Sequence, residues 1–191
     1  GFVYYFDNAV NTDPTEQGNY WYNPELTDPA QEIPNPGDRL IIVESSIYAG
    51  DATIGTDSVN YGTITGNATF SSNGINEGTV SGDATFSESS TNEGVITGDA
   101  TFTGDISENN GTVDGTQTRY YTENISPSRN FVTGGPWTIT ADAVVVDVTG
   151  ATYNGSTVFN PINGGSFVYP AHTYYFNNAV NTSPATQGNY W

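Results

Sequence analysis

One short motif recurs along the middle of the chain at a fixed spacing of sixteen residues. The sequence GDATI begins at Gly50, and GNATF, GDATF and GDATF follow at Gly66, Gly82 and Gly98. A weaker copy begins seventeen residues later, at Gly115. A short fixed period with β-formers and turn residues at fixed offsets is typical of a β-solenoid, where each coil lays its strands on those of the coil before. The motif predicts an all-β fold, a parallel β-solenoid (β-helix) with coils of about 16 residues.

Composition alone does not decide whether this chain folds. Leu, Ile, Val and Phe make up about a fifth of the 191 residues and the net charge is −18, a balance close to that of disordered chains. Strong helix formers are scarce, with two Leu, no Met and no Lys, whereas Thr, Val, Ile, Tyr, Asn and Gly abound. The regular period therefore carries the prediction of an ordered, strand-rich protein.

Alternation assigns the two faces of each predicted strand. In NYGTITG, from Asn60 to Gly66, we predict that Asn, the two Gly and Ile point inward and that Tyr and the two Thr point outward. Copies stacked in register then build columns of like residues along the axis. The predicted apolar columns are Ile64, Val80, Ile96 and Val113, then Phe70, Phe86 and Phe102, and the narrow column Ala52, Ala68, Ala84 and Ala100.

A column of asparagines is the clearest architectural signal in the chain. Asn60, Asn76, Asn92 and Asn109 occupy the same place in successive copies. We expect them at a corner of the coil, where stacked amides hydrogen-bond along the axis and where asparagine tolerates a left-handed backbone.

A second, longer repeat frames the first. The segment YYFDNAVNTDPTEQGNYW from Tyr4 to Trp21 returns as YYFNNAVNTSPATQGNYW from Tyr174 to Trp191, with 14 of 18 positions identical and an offset of 170 residues. This repeat predicts a unit of about 170 residues that recurs in tandem within a longer polypeptide or a polymer. The predicted unit junction comprises Tyr4, Tyr5, Phe6 and Trp21 with their copies Tyr174, Tyr175, Phe176 and Trp191.

The two repeats divide the chain into four parts. Residues 1–49 form the unit start, with the aromatic junction and a first buried strand in DRLIIVESS. Residues 50–121 form the regular coils, and residues 122–173 still alternate and predict less regular, wider coils. Residues 174–191 begin the next unit.

The order of these segments resembles a known kind of bacterial protein. The stretch NYWYNPELTDPAQEIPNPGDRLIIV, the GNATF and GDATF coils, and the stretch from RYYTENISPSRNF to NGSTVF resemble the tandem repeat units of very large secreted surface proteins of uncultivated small-celled bacteria. They are similar, more generally, to the β-helical passenger and adhesin repeats of bacteria. The resemblance implies a parallel β-helix displayed outside the cell, with no catalytic residues to carry over. The absence of Lys departs from many adhesins and excludes Lys–Asn isopeptide cross-links.

Little in the sequence favours catalysis, nucleic-acid binding or membrane insertion. There is no Cys and one His, His172 near the predicted junction, so nucleophilic triads lack their parts and we predict that the chain is not an enzyme. Paired acids cleave polysaccharides in some β-helices, but no spacing singles out a pair. An acidic chain with three Arg and no Lys repels phosphate backbones. No apolar run reaches the length of a membrane helix.

Carboxylates also fall into columns. Stacking places Glu77 beside Glu93, and Asp83 beside Asp99, with like charges one coil apart. Such pairs repel unless they are solvated, protonated or bridged by a cation. Calcium takes carboxylate and carbonyl oxygens as ligands, so a calcium ion bridging these residues is an alternative to solvated acidic faces. No other cofactor is predicted.

The sequence thus predicts a structural repeat unit of an extracellular filament, fibre or giant cell-surface protein. Its partners would be adjacent copies of the same unit, joined head to tail through the aromatic junction. An alternative is a glycan-binding adhesin or phage-fibre segment, in which the aromatic junction or a Thr-rich face holds surface sugars. A flat ice-binding face that starts from the pairs Thr63 with Thr65 and Thr79 with Ser81 is a further alternative, interrupted at Val95 and Asp114.

Overall fold

A computed structural model describes residues 1–132 and 136–170 of the chain. It confirms the predicted fold class: the described residues form twenty-one β-strands, numbered β1 to β21 in chain order, and parallel pairing between coils dominates. The only helical elements in these ranges are two single 3-10 turns, at Gln17–Asn19 and Val148–Gly150.

The strands lie in three long sheets and one short pair. Sheet A contains β1 (Val3–Phe6), β2 (Tyr20–Trp21), β3 (Arg39–Ile42), β6 (Val59–Asn60), β9 (Ile75–Asn76), β12 (Thr91–Asn92) and β15 (Glu108–Asn109). Sheet B contains β4 (Ile47–Tyr48), β7 (Thr63–Ile64), β10 (Thr79–Val80), β13 (Val95–Ile96) and β16 (Thr112–Val113). Sheet C contains β5 (Ala52–Ile54), β8 (Ala68–Phe70), β11 (Ala84–Phe86), β14 (Ala100–Thr103), β17 (Gln117–Tyr121), β18 (Trp137–Asp142) and β20 (Val158–Ile162). The short pair is β19 (Val145–Asp147) with β21 (Ser166–Val168).

Each coil passes once through the sheets, so the chain winds into a three-sided rod. In sheet C, Ala52 pairs with Ala68, then Ala84, then Ala100, at a constant spacing of sixteen residues. The next partner is Gln117, seventeen residues on. Later coils are wider: the pairs Gln117–Trp137 and Thr138–Val158 are each twenty residues apart. The strict period therefore belongs to the first coils, and the later coils lengthen by adding residues between strands.

Side chains alternate across sheet C as the pattern predicts. The inward residues of β8, Ala68 and Phe70, are buried, whereas Thr69 between them is exposed. The same arrangement recurs in β5 and β11. The outward positions carry one threonine per coil, and these threonines pair rung by rung: Thr53, Thr69, Thr85, Thr101, Thr118 and Thr138.

The start of the chain closes the first end of the rod. β1 pairs in parallel with β3, and β2 returns antiparallel to β1 at the edge of sheet A. The expectation that DRLIIVESS holds the first buried strand is therefore wrong, because β1 precedes it with Tyr4 and Phe6 fully buried. The loop between β1 and β2 covers the edge of sheet B. There the Ile47 N–H donates to Asn8 Oδ1 over 2.7 Å, and the Ala49 N–H donates to the Thr12 carbonyl over 2.8 Å.

At the other end of the described rod, apolar side chains of the last coil reach the surface. Val158 and Tyr169 are more than half exposed. Phe159 packs edge-on against Tyr153, Phe167 and Tyr169, with ring centroids 5.0 to 5.4 Å apart. Exposed apolar side chains also occur at the first end, where Phe2 and Val10 are more than half exposed while Tyr4, Phe6 and Tyr20 are sealed inside.

Candidate functional site: the stacked ladders and a buried arginine

The predicted asparagine column is a continuous hydrogen-bonded ladder. The Nδ2 of Asn60 donates to Oδ1 of Asn76, that of Asn76 to Asn92, and that of Asn92 to Asn109, each over 2.8 Å. The first three of these residues are fully buried. Asn109 then donates to Oε1 of Gln117 over 2.6 Å, so the ladder crosses from sheet A to sheet C where the regular period ends. Each buried amide finds its partner in the next coil, which fixes the register of the stack.

The backbone at these asparagines differs from the expectation. Asn60, Asn76, Asn92 and Asn109 are in strands and none has a positive φ, so the left-handed corner was wrongly placed. Left-handed residues follow the sheet C strands instead, with one or two in each coil, at Thr56, Asp57, Ser72, Asn73, Glu88 and Gly104. Asparagine is required at the ladder for its two-sided amide, which both donates and accepts, and not for a left-handed backbone.

A glycine follows each ladder asparagine by two residues, and close packing leaves no room there for the Cβ of any other residue. A Cβ on Gly78 would lie 2.1 Å from the Gly62 carbonyl oxygen, and a Cβ on Gly94 would lie 2.1 Å from that of Gly78. The cause is a sharp corner: the N–H groups of Glu93 and Gly94 both donate to the Asn76 carbonyl, over 2.7 and 2.8 Å, so the backbone turns inward onto the preceding coil.

The phenylalanine column is a stack of parallel rings. Phe70 and Phe86 have centroids 4.6 Å apart with planes inclined by 5°, and Phe86 and Phe102 are 4.8 Å apart and inclined by 10°. All three are fully buried. Beside them, Ile64, Val80 and Ile96 form the second buried column, and half-buried Val113 extends it by one rung. These contacts are the apolar interior of the narrow coils.

The predicted calcium residues already have partners in the protein. Asp83 Oδ1 accepts the backbone N–H of Asp99 over 2.9 Å, and Asp99 Oδ1 accepts the N–H of Thr116 over 2.7 Å. Asp51 and Asn67 do the same for the coils before, so this column supports the backbone as an Asx ladder. Within residues 1–132 and 136–170, no group of three or more His, Cys, Asp or Glu is arranged to hold a metal ion. Calcium at Asp83 and Asp99 remains a prediction from the sequence.

Glu77 and Glu93 are exposed on the outer side of the asparagine ladder. Calcium binding at these two residues also remains a prediction from the sequence. Glu77 also lines a shallow groove of about 520 Å³ on the outer face of sheet A. The other residues of this groove are Tyr5, Pro24, Ile41, Val43, Glu44 and Tyr61. Two tyrosines beside two carboxylates form an outward surface suited to a sugar ring, since aromatic faces pack on its apolar side and carboxylates accept its hydroxyls.

The predicted junction residues divide between interior and surface. Tyr4 and Phe6 are buried and pack edge-on against Tyr20, with centroids 6.4 and 5.3 Å apart. Tyr5 and Trp21 are half-buried cross-strand partners. The Trp21 Nε1 donates to Oδ1 of Asp7 over 3.3 Å, which holds the indole in place. The copies Tyr174, Tyr175, Phe176 and Trp191, like His172, lie outside the described residues.

Sequence reasoning missed Arg119, which is almost completely buried in the core. In the register of sheet C, Arg119 pairs with Phe102 and occupies the place of the next phenylalanine. Its Cζ lies 5.2 Å from the Phe102 ring centroid and 5.4 Å from that of Trp137. The sequence contained a signal for this residue: the fifth motif copy reads GTQTR where the two copies before it read GDATF, so the arginine stands at the inward position.

Burial dominates the chemistry of Arg119. Desolvation lowers the pKa of its guanidinium to about 10, so the group stays charged at neutral pH. Nearby, Asp105 accepts hydrogen bonds from the Ser128 N–H and Oγ and from the Tyr121 hydroxyl, over 3.0 to 3.1 Å. Burial opposes its ionisation, but these donors and the Arg129 charge outweigh it and hold the pKa of Asp105 below its usual value. Arg129 and Asp105 form an ion pair, with Nε 3.3 Å from Oδ1.

Comparison with protein-family models, with curated proteins and with solved structures finds no match to this chain. In the part of the chain that the structure describes, no helix is long and apolar enough to cross a membrane.

Proposed function

We propose that this chain is a structural repeat unit of an extracellular filament, fibre or giant cell-surface protein. The observation that carries the proposal is the ladder running through successive coils, in which Asn60, Asn76, Asn92 and Asn109 are joined by side-chain hydrogen bonds. Rows of buried amides and stacked rings resist bending and shear, because displacing one coil breaks bonds to both neighbours. A stiff rod is what a spacer or fibre requires.

The two ends of the rod support joining in a head-to-tail direction. The segment that seals the first end, Tyr4 to Trp21, is the one that the sequence repeats 170 residues later, after the last described coil. The last coil exposes Val158, Val168 and Tyr169. An exposed apolar end on a solenoid needs a cover, and the start of a following unit would supply one. A joint between two different ends is head to tail, and it generates an open linear array when successive units do not close into a ring.

The acidic surface is consistent with a location outside the cell, and its negative charge keeps neighbouring rods apart. A net charge of −18 makes rods repel one another laterally, so that growth occurs along the axis. The absence of Cys and Met suits a long-lived exposed protein, because neither residue is present to be oxidised.

The groove between Tyr5 and Tyr61 favours the second candidate, a glycan-binding adhesin or phage-fibre segment. In that case the rod would present sugar-binding surfaces at intervals, and the junction would matter less than the outer face of sheet A. The structural unit predicts long rods of joined units, whereas the glycan-binding segment predicts isolated particles.

Electron microscopy of the native material separates the two candidates. Eight coil levels, the sealed first level and the seven rungs of sheet C, at roughly 4.8 Å each predict an axial repeat of roughly 40 Å per unit. The structural proposal expects long thin rods with this repeat. Isolated particles one unit long would contradict it and favour the glycan-binding alternative, which saturable binding of a neutral oligosaccharide would then establish.

A further inference from the structure

Arg119 is a buried charge without a carboxylate partner, and this sets it apart from the other two arginines. Arg129 forms ion pairs with Asp105 and Glu108, and Arg39 is exposed. All 21 acidic side chains belong to residues 1–132 and 136–170, since the remaining stretches contain no Asp or Glu. None of them forms an ion pair with Arg119 within those ranges. Asp105 and Glu108 favour the charged form of Arg119 from beyond ion-pair distance, and an anion in direct contact with the guanidinium would stabilise it further.

The guanidinium of Arg119 uses only part of its hydrogen-bonding capacity. Its Nη1 donates to the carbonyls of Gly104 and Ser107 and to Ser107 Oγ, over 2.9 to 3.1 Å. Its Nε is buried and donates to no acceptor in the described residues. Because Nη1 is occupied and Nε is enclosed by protein atoms, Nη2 is the donor that remains for an anion.

A small cavity adjoins this guanidinium. Its volume is about 140 Å³, and it is lined by Glu108, Asn109, Asn110, Arg119, Arg129, Asn130, Phe131 and Trp137. The cavity is therefore lined by two cations, one carboxylate, three amides and two aromatic rings. It is large enough for a carboxylate with a short carbon skeleton, and its polar lining can satisfy a buried anion.

We propose that this cavity binds a carboxylate group, held by Arg119 from the core side and by Arg129 from the rim. A carboxylate is small enough for this cavity, and it would bring a negative charge into direct contact with Arg119. A phosphate or sulfate dianion fits less well, because Glu108 on the rim adds a like charge. The carboxylate is that of a small free acid or that of a uronic-acid unit in a polysaccharide, and both share this chemistry.

Thermal unfolding of the whole chain tests the site with defined probes. Acetate and glucuronate at about ten times their dissociation constants should raise Tm by about 3 °C in a saturable way. Sodium chloride at equal ionic strength and neutral glucose are the controls and should not produce this rise. A uronic-acid oligomer that binds more tightly than glucuronate identifies a polysaccharide as the source, whereas equal binding of acetate and glucuronate identifies a small acid.

Variants of the arginines connect the response to the cavity. Arg119→Met keeps a long side chain in the core and should abolish the stabilisation by acetate. Arg129→Gln, at a half-buried position, should weaken acetate binding roughly tenfold and serves if Arg119→Met does not fold. The matched control is Arg39→Gln, which removes the same charge from an exposed site whose Nε donates to the Asp57 carbonyl. Absence of saturable stabilisation by either acid, or its persistence in both cavity variants, overturns the proposal.

Discussion

Replacing Gly94 with alanine is expected to lower the free energy of unfolding by about 3 kcal/mol. The new Cβ would lie 2.1 Å from the Gly78 carbonyl oxygen and 2.7 Å from the Glu77 carbonyl carbon. Neither atom can move away easily, because the Val95 N–H donates to that Gly78 carbonyl over 2.9 Å and the adjacent strands are paired on both sides. Chemical denaturation of the two proteins, followed by circular dichroism, measures the difference.

Gly55→Ala is the control for this prediction. The added Cβ at Gly55 would lie 3.5 Å from Ser71 Oγ, an ordinary contact, and the equivalent positions in the next coils are Ser71, Ser87 and Thr103. Alanine should therefore be neutral or stabilise by about 0.5 kcal/mol, through a less flexible unfolded chain. Equal effects of the two substitutions would show that the coils are not packed as closely as described.

Replacing Phe86 with aspartate is expected to have a still larger effect, about 5 kcal/mol or more. Truncating a buried phenylalanine costs about 3–5 kcal/mol, and the carboxyl group adds the cost of placing a polar group between two rings. Phe86 is fully buried between Phe70 and Phe102. Because stabilities of whole proteins are about 5–15 kcal/mol, the variant should be largely unfolded, with a Tm decreased by more than 10 °C or no cooperative transition.

Thr85→Asp provides the matched comparison, one residue away on the outward face. Thr85 is exposed and pairs with Thr69 and Thr101, so a carboxylate there remains hydrated. We expect a cost below about 1 kcal/mol, arising mainly from repulsion by neighbouring Asp83. Similar losses in Thr85→Asp and Phe86→Asp, or an unchanged Tm in the latter, would contradict the inward stack of rings.

The sequence predicts the repeated part of this fold because each motif position meets the same environment in every coil. Asn76 bonds to its own copies, Phe86 stacks on its own copies, and Gly94 lies over its own copy, so a physical requirement at one coil appears as a column of identical letters. Alternation then assigns the faces. The period therefore predicts most of the residues that point inward and pair between coils.

The parts that occur once are harder to predict. The cap formed by β1 and β2 contains an antiparallel strand pair, and this pair occurs once per unit, so no short repeat predicts it. Asp83 suggested a repulsive column, whereas its oxygen accepts a backbone N–H of the next coil, a contact that depends on corner geometry. Arg119 is a charged residue at an inward position, and only its surroundings, the turn carbonyls and two rings, make such a position tolerable.

A rod requires one register to hold along successive rungs of sheet C. Thr53 and Thr138 face outward in the same column, separated by five rungs and 85 residues of chain. Because the chain contains no cysteine, spin labels can be attached at Thr53→Cys and Thr138→Cys without further changes.

The most direct test is the distance between those two labels, measured by pulsed electron paramagnetic resonance. Five rungs of roughly 4.8 Å predict a narrow distribution with a backbone separation near 24 Å, and the pair Thr53→Cys with Thr118→Cys should be shorter by one rung, roughly 5 Å. Coils that do not stack in one register would instead give a broad distribution extending toward roughly 50 Å, the span of a flexible chain of that length.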